Sequence, residues 1–153
     1  MPFTLFSAAF PDGAPIPALH SRDAADVSPS LEWSGEPAAT LSFALVMDDP
    51  DAPAGTWAHW LLYDIPRSVH TLAQGYKPGA LGLSGKNSFG ALGYGGPCPP
   101  KGHGPHRYIF KLHALDVPTL GLPAGATPSA VSRALQGHVL AEARHTGRYE
   151  SQS

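Results

Sequence analysis

Residues 41–66 read LSFALVMDDPDAPAGTWAHWLLYDIP, and this stretch decides the fold. From Leu41 to Met47, large apolar side chains alternate with smaller ones at a period of two, which predicts a β-strand. A second apolar run, from His59 to Ile65, ends at a proline and predicts another buried strand. Acidic residues and prolines join the two runs. The stretch therefore indicates an antiparallel pair of strands with polar groups on the connecting loop.

A third run, from Tyr108 to Leu115, alternates in the same way and predicts a third buried strand. Near the C-terminus, Thr127 can cap a helix whose first residue is Pro128, and the apolar spacing predicts that this helix continues to about Arg144. Gly137 in its interior would cost up to about 1 kcal/mol relative to alanine. Short strands with one late helix predict a mainly β protein, an antiparallel β-sandwich with a short C-terminal helix.

Composition limits the classes of protein that the chain can belong to. Of 153 residues, 42% are hydrophobic and only 14% are charged, which is typical of a globular protein, and the length suits one domain over residues 1–153. A formal charge of −2 argues against a nucleic-acid partner. We find neither a signal peptide nor a transmembrane segment, and Cys98 is the one cysteine, so a cytoplasmic location is expected.

Two segments carry residues suited to ligand chemistry. The first runs from Asp48 to Pro53 and is followed by His59; in an antiparallel pair, these carboxylates and this imidazole lie at the same rim. The second is GYGGPCPPKG at 93–102, followed by His106 at the start of the third strand, and its glycines allow backbone amides to approach an anion. The alternatives are an acidic turn beside a core histidine and a simple Gly/Pro spacer.

Together, DPDAP at 49–53, the glycine-rich segment and HRYIFKLHALD at 106–116 resemble the phosphatidylethanolamine-binding protein (PEBP) family. The resemblance extends over nearly the whole chain and is to the short bacterial and archaeal branch, whose members are Raf kinase inhibitor protein-like. It implies a β-sandwich with a ligand pocket at one end that accommodates phosphate esters, phospholipid headgroups or other small anions. It also implies a cis bond between Ala52 and Pro53.

The resemblance implies a set of pocket residues and no cofactor or metal. By position, the pocket residues are Asp49, Asp51, Ala52, Pro53, His59, Gly96, Cys98, Pro99, Pro100, His106 and Tyr108. Cys98 stands where animal relatives have glycine. The expected ligand is a small anion or phosphoester. Because family members also regulate kinases or inhibit proteases, a kinase or protease partner is left open. A homodimer is left open as well.

Three other interpretations remain at this point. A hydrolase would use Asp49, His59 and His106 as acid, base or ligand groups, but no activated serine is evident. Zinc would need Cys98 and neighbouring histidines such as His103, at a spacing that matches no strong zinc motif. A pure protein-interaction module would use an outer surface, for which the loop residues 86–88 are a candidate, although a solvated loop is the simpler interpretation.

The acidic residues of the first segment pose an electrostatic question, because ionised Asp49 and Asp51 would repel an anion. Pairing with His59 or His106 would resolve it, since a carboxylate favours the imidazolium, which can then donate to the ligand. Anion affinity would then rise as the pH falls through the histidine range. In the competing picture, the backbone amides of Gly95 and Gly96 hold the anion and the histidines stay neutral.

Overall fold

The computed structural model describes residues 2–151, whose strands form two sheets. The smaller sheet has the strand order β1-β2-β5 and the larger has the order β6-β4-β3-β7-β8, with neighbouring strands antiparallel. In chain order the elements are β1 (Thr4–Phe6), a 3-10 turn (Ala18–His20), β2 (Leu31–Ser34), β3 (Ser42–Asp49), β4 (Trp57–Pro66), β5 (Thr71–Leu72), β6 (Leu83–Ser84), β7 (His106–Leu115), α1 (Pro128–Leu135) and β8 (Val139–Tyr149).

The three strands predicted from apolar runs are confirmed as the centre of the larger sheet. β3 pairs with β4 on one side and with β7 on the other. The three strands are almost continuously buried rather than alternately buried and exposed. Such a pattern arises when both faces of a sheet are covered. The predicted mainly β, antiparallel sandwich with a short helix is therefore confirmed.

One face of the larger sheet packs against the smaller sheet and forms the main hydrophobic core. Trp33 of β2 meets Phe43 of β3 edge to face, with ring centroids 5.6 Å apart. Leu5 of β1 and Leu72 of β5 belong to the same cluster as Phe110 of β7. Residues of both sheets are thus buried in one common core.

The opposite face of the larger sheet is covered by α1. Val131 and Leu135 of this helix pack with Leu61 and Tyr63 of β4, side chains that point away from the sandwich core. The Tyr63 hydroxyl donates to the carbonyl oxygen of Pro123 in the loop before the helix. The helix therefore supplies the second layer that the outer face of the central strands requires.

The C-terminal helix is shorter than predicted. Its start is confirmed, because Thr127 accepts a hydrogen bond from the amide of Ala130 at 3.1 Å and Pro128 is the first helical residue. The prediction that it continues to about Arg144 is wrong: the helix ends at Leu135, and Gly137 adopts a φ of +81°, which turns the chain into β8. No helix in the described part of the chain is long and apolar enough to cross a membrane.

Candidate ligand site

The candidate site lies where three strand ends meet at one edge of the larger sheet. β3 ends at Asp49, which pairs with Trp57 at the start of β4, and β7 begins at His106. Because β3 is antiparallel to both neighbours, its C-terminal end lies beside their N-terminal ends. The topology thereby brings together the two motif segments, which are far apart in the sequence.

A cavity of about 160 Å³ occupies this edge. Most of the predicted pocket residues line it, together with two aromatic side chains. The lining residues are Asp49, Ala52, Pro53, Trp57, His59, Phe89, Cys98, Pro99, Pro100 and His106. Asp51, Gly96 and Tyr108, which were also predicted, are not among them.

Asp49 and His106 form a buried ion pair or charge-assisted hydrogen bond in the cavity wall. Their side chains are only 4% and 3% exposed, and Asp49 Oδ2 lies 2.7 Å from His106 Nδ1. The other carboxylate oxygen of Asp49 accepts from the amide of Asp51 at 2.8 Å. His106 Nε2 lies 2.6 Å from Nδ1 of His103, in the loop before β7. Both ring nitrogens of His106 are therefore engaged, one by a buried carboxylate and one by a second imidazole.

His59 faces the same cavity from β4. Its Nδ1 lies 2.7 Å from the carbonyl oxygen of Gly95, and the amide of Gly95 donates back to the carbonyl oxygen of His59 at 2.8 Å. The rings of Phe89 and Tyr108 pack edge to face against the imidazole, at 5.2 and 5.1 Å between centroids. Burial lowers the pKa of His59, against the opposing effect of the Gly95 carbonyl and nearby carboxylates.

The glycine-rich segment forms one wall of the site, but its amides are already bonded. The Gly96 amide donates to Asp26 Oδ1 at 2.7 Å, and the Gly95 amide is bonded to His59 as described. A Cβ at position 96 would collide with the carbonyl oxygen of His20, so only glycine allows this approach. Burial raises the pKa of Asp26. In this arrangement the amides of Gly95 and Gly96 are not free to donate to an anion, and their role in ligand binding stays a prediction.

Asp51 points away from the cavity and pairs with Arg107. Its Oδ2 accepts from the Arg107 amide at 2.9 Å and from Nε at 3.0 Å, while Oδ1 accepts from Nη2 at 2.8 Å. These hydrogen bonds lower the pKa of Asp51 to about 2. The expected pairing of an aspartate with a histidine thus occurs for Asp49 and His106, whereas Asp51 ties its loop to β7.

Tyr108 and Cys98 differ in burial: Tyr108 lies in the interior and Cys98 lies at the surface of the site. Tyr108 is fully buried behind His59. Burial, together with the charge of Asp49, raises the pKa of Tyr108. Cys98 is exposed and lines the cavity.

The predicted cis bond between Ala52 and Pro53 is wrong, because none of the described peptide bonds is cis. The loop reverses direction by other means. The amide of Gly55 donates to the carbonyl oxygen of Ala52 at 3.1 Å, and Gly55 has a φ of +111°. A glycine in this conformation closes the turn with trans bonds throughout.

Two residues that shape the site were not predicted from the sequence. Asp26 holds Gly96, and Phe89 packs against both Trp57 and His59. Phe89 lies in a loop organised by Asn87, a buried side chain that bonds the amide of Phe89 and the carbonyl oxygen of Gly93. The interpretation of residues 86–88 as a solvated loop is therefore wrong for Asn87. The available sequence signal was an aromatic residue, Phe89, in an otherwise polar and glycine-rich loop.

A larger cavity, of about 390 Å³, lies on the other face of the larger sheet beneath α1. Its charged groups already pair with one another: Lys111 with Asp48 at 3.4 Å, and His113 with Glu142 at 3.0 Å. The smaller cavity is the one that the motif residues Asp49, His59 and His106 line. Among residues 2–151, no cluster of three or more His, Cys, Asp or Glu side chains is arranged to hold a metal ion.

The chain belongs to the phosphatidylethanolamine-binding protein family, whose model matches residues 6–150, and the resemblance noted from the motifs is thereby confirmed. A UPF0098 protein of Aquifex aeolicus is 47% identical, over 95% of this chain and 87% of the relative. The crystal structure of the PEBP homologue CT736 from Chlamydia trachomatis is similar with a TM-score of 0.90 at 37% identity, covering 98% of each chain. Escherichia coli YbcL is similar with a TM-score of 0.91 at 34% identity, covering 98% of this chain and 99% of that one.

Proposed function

We propose that this protein binds a small phosphate-bearing or other oxyanion group in the cavity between the two motif loops. The observation that carries the proposal is the buried pair of Asp49 and His106 in the wall of that cavity. His106 is held by a carboxylate on one side, and the imidazolium form of this ring would offer an anion both a hydrogen bond and a charge.

The ligand would replace His103 as the partner of His106 Nε2. That contact is 2.6 Å long and joins the cavity wall to a loop residue that is largely exposed. An oxygen of the ligand at the same place would bond the same nitrogen without disturbing the buried pair behind it. A cavity of about 160 Å³ suits a phosphate or headgroup-sized ligand more than a long lipid chain.

Replacement of His106 by alanine tests the proposal directly. We expect the variant to bind inorganic phosphate more weakly by roughly 1.5–3 kcal/mol, the range for hydrogen bonds to charged groups. The matched control is His138→Ala, because His138 pairs with Asp116 far from the cavity and is 44% exposed. Isothermal titration calorimetry on both variants measures the affinities. Equal phosphate affinity in the wild type and the His106 variant would refute the assignment.

A second function, hydrolysis, is favoured by one feature of the site. The hydrogen bond between Asp49 and His106 is of the kind that orients a general base, and His59 and the exposed thiol of Cys98 lie at the same cavity. Assay of a chromogenic phosphomonoester separates the two functions, since the binding proposal expects no turnover. Regulation of a kinase or a protease in the cytoplasm is the wider role that we propose for such a ligand-binding domain.

A further inference from the structure

The cavity of about 390 Å³ beneath α1 has the size and lining of a small-molecule site. Its floor is the outer face of the larger sheet, and α1 forms a wall from which Val131 and Leu135 pack toward Leu61. Small-molecule sites are commonly clefts of about 300–1,000 Å³ with an apolar lining and a few polar groups. This cavity shares no lining residue with the smaller one at the edge of the sheet, so the two can be occupied separately.

Two ion pairs lie along the cavity, and they differ in how much hydrogen-bonding capacity they have left. Both carboxylate oxygens of Glu142 are engaged, one by Arg144 and the other by His113. Asp48 instead contacts Lys111 through a single oxygen at 3.4 Å, which is long for a charge-assisted hydrogen bond. In the described part of the chain, Asp48 Oδ1 and Lys111 Nζ have no further hydrogen-bond partner. Both groups can therefore bind a ligand.

The charges around the cavity are balanced, and this limits the net charge of a ligand. Lys111 offsets the charge of Asp48. Arg144 does the same for Glu142, and burial lowers the pKa of His113, which favours a neutral ring. A ligand with one charge would pair with Asp48 or with Lys111 and leave the other alone, although their side chains are only 16% and 25% exposed. A ligand with adjacent opposite charges can satisfy both.

A hydroxyl group and an apolar surface complete the arrangement. Ser88 Oγ accepts from the amide of Ala58 at 2.9 Å, so its own hydrogen can be donated to a carboxylate. Ser88 lines the same cavity as Lys111. Val46 and Val131 line it too, and a short aliphatic side chain can pack against them.

We propose that the cavity beneath α1 binds free aliphatic α-amino acids as zwitterions. The ammonium group bonds to Asp48, the carboxylate bonds to Lys111 and Ser88, and the side chain packs between the sheet and α1. An α-amino acid carries these three groups on one carbon atom, which matches the close spacing of Asp48 and Lys111. The terminus of a longer peptide carries only one of the two charges and is disfavoured.

Three ligands with the same aliphatic group test whether both charges are needed. Leucine is a zwitterion near neutral pH, leucinamide lacks the carboxylate, and 4-methylpentanoate lacks the ammonium group. We expect calorimetry to show leucine bound at least about tenfold more tightly than either analogue, because each analogue leaves one member of the ion pair without a partner. Glycine should also bind about tenfold more weakly than leucine, since it has no side chain to bury. Equal affinity for leucine and both analogues, or no binding of leucine, would overturn the inference.

A double variant tests the assignment to these residues. Asp48→Asn combined with Lys111→Gln removes both charges and leaves neither unpaired, and we expect leucine to bind at least about tenfold more weakly. The matched control is Glu36→Gln with His70→Gln, which removes an ion pair outside the cavity and should leave leucine binding unchanged. Far-UV circular dichroism melts establish that both variants fold. Wild-type affinity for leucine in the first variant would refute the assignment, and if that variant does not fold, the ligand series on the wild type still decides the inference.

Discussion

At the scale of single residues, the site depends on which partner each histidine nitrogen has. Nδ1 of His106 is hydrogen-bonded to the carboxylate of Asp49, and Nε2 of His106 is hydrogen-bonded to Nδ1 of His103. His59 is fixed by the backbone of Gly95 instead. Two histidines that are equivalent as motif residues thus differ in chemistry, because one contacts a carboxylate and the other contacts a carbonyl oxygen.

Removal of His103 should strengthen anion binding. Nδ1 of His103 lies 2.6 Å from Nε2 of His106, so a ligand that binds this nitrogen must displace the His103 side chain. A hydrogen bond of this kind is worth about 0.5–1.5 kcal/mol, so His103→Ala should tighten phosphate binding by roughly two- to tenfold. Lys101→Ala, an exposed residue in the same loop, is the control. Weaker binding in the His103 variant would show instead that His103 contacts the ligand.

The ion pair of Asp51 should make the stability of the protein depend on pH in the acid range. Arg107 lowers the folded-state pKa of Asp51 to about 2, below the unfolded value near 3.8. A lowered pKa contributes stability that is fully present above the unfolded value and is lost as the pH falls through the folded one. Urea midpoints of the wild type and Asp51→Asn should therefore differ above about pH 4 and converge toward about pH 2. Arg107→Gln should show the same convergence, and a gap unchanged at pH 2 would contradict it.

Much of the site was predictable because motif residues adjoin strands whose ends the topology brings together. Asp49, His59 and His106 follow or begin the three predicted strands, and all three line the cavity; their role in ligand binding stays a prediction. Asp26 could not be predicted, because its partner, Gly96, is 70 residues away and neither belongs to a strand.

At the scale of elements, the central strands were predictable and the C-terminal segment was not. The strands are apolar on both faces, which gives a strong local signal. In β8 the signal is weaker, because it lies at the sheet edge and its buried positions alternate as Ala143, His145, Gly147 and Tyr149. A small residue, a histidine and a glycine do not form an apolar pattern of period two. The sequence therefore gives no sign that a strand begins here, and the apolar spacing of the preceding helix predicts a helix that is too long.

The variant Gly137→Ala distinguishes a continuous helix from the observed turn. In a helix interior the substitution would stabilise the protein by up to about 1 kcal/mol. Gly137 has a φ of +81° and open space around its Cα, so alanine there should destabilise by about 1–2 kcal/mol through backbone strain alone. Urea denaturation measures the sign. Ser132→Ala, at an exposed position inside α1, should be neutral or slightly stabilising and serves as the control.

At the scale of the whole molecule, the site is formed by loops on a rigid support. β3, β4 and β7 are buried on one face by the smaller sheet and on the other by α1. Their ends therefore present Asp49, His59 and His106 from a well-packed scaffold. Such preorganisation reduces the cost of ordering side chains on binding. The resemblance to the family could be identified from the sequence because its motifs lie in the two loops of the site and along β7.

Occupation of the cavity should stabilise the entire domain by mass action. A ligand present at a hundred times its dissociation constant stabilises the folded state by about 2.7 kcal/mol. For a domain near 150 residues, each kcal/mol raises the melting temperature by about 2–4 °C, so saturating phosphate should raise Tm by about 5–10 °C. Chloride at matched ionic strength controls for general salt effects. His138→Ala should keep the phosphate-specific rise, and His106→Ala should lose most of it because the buried pair no longer presents a donor to the anion. A rise of equal size in both variants would show that phosphate stabilises the fold from somewhere other than this cavity.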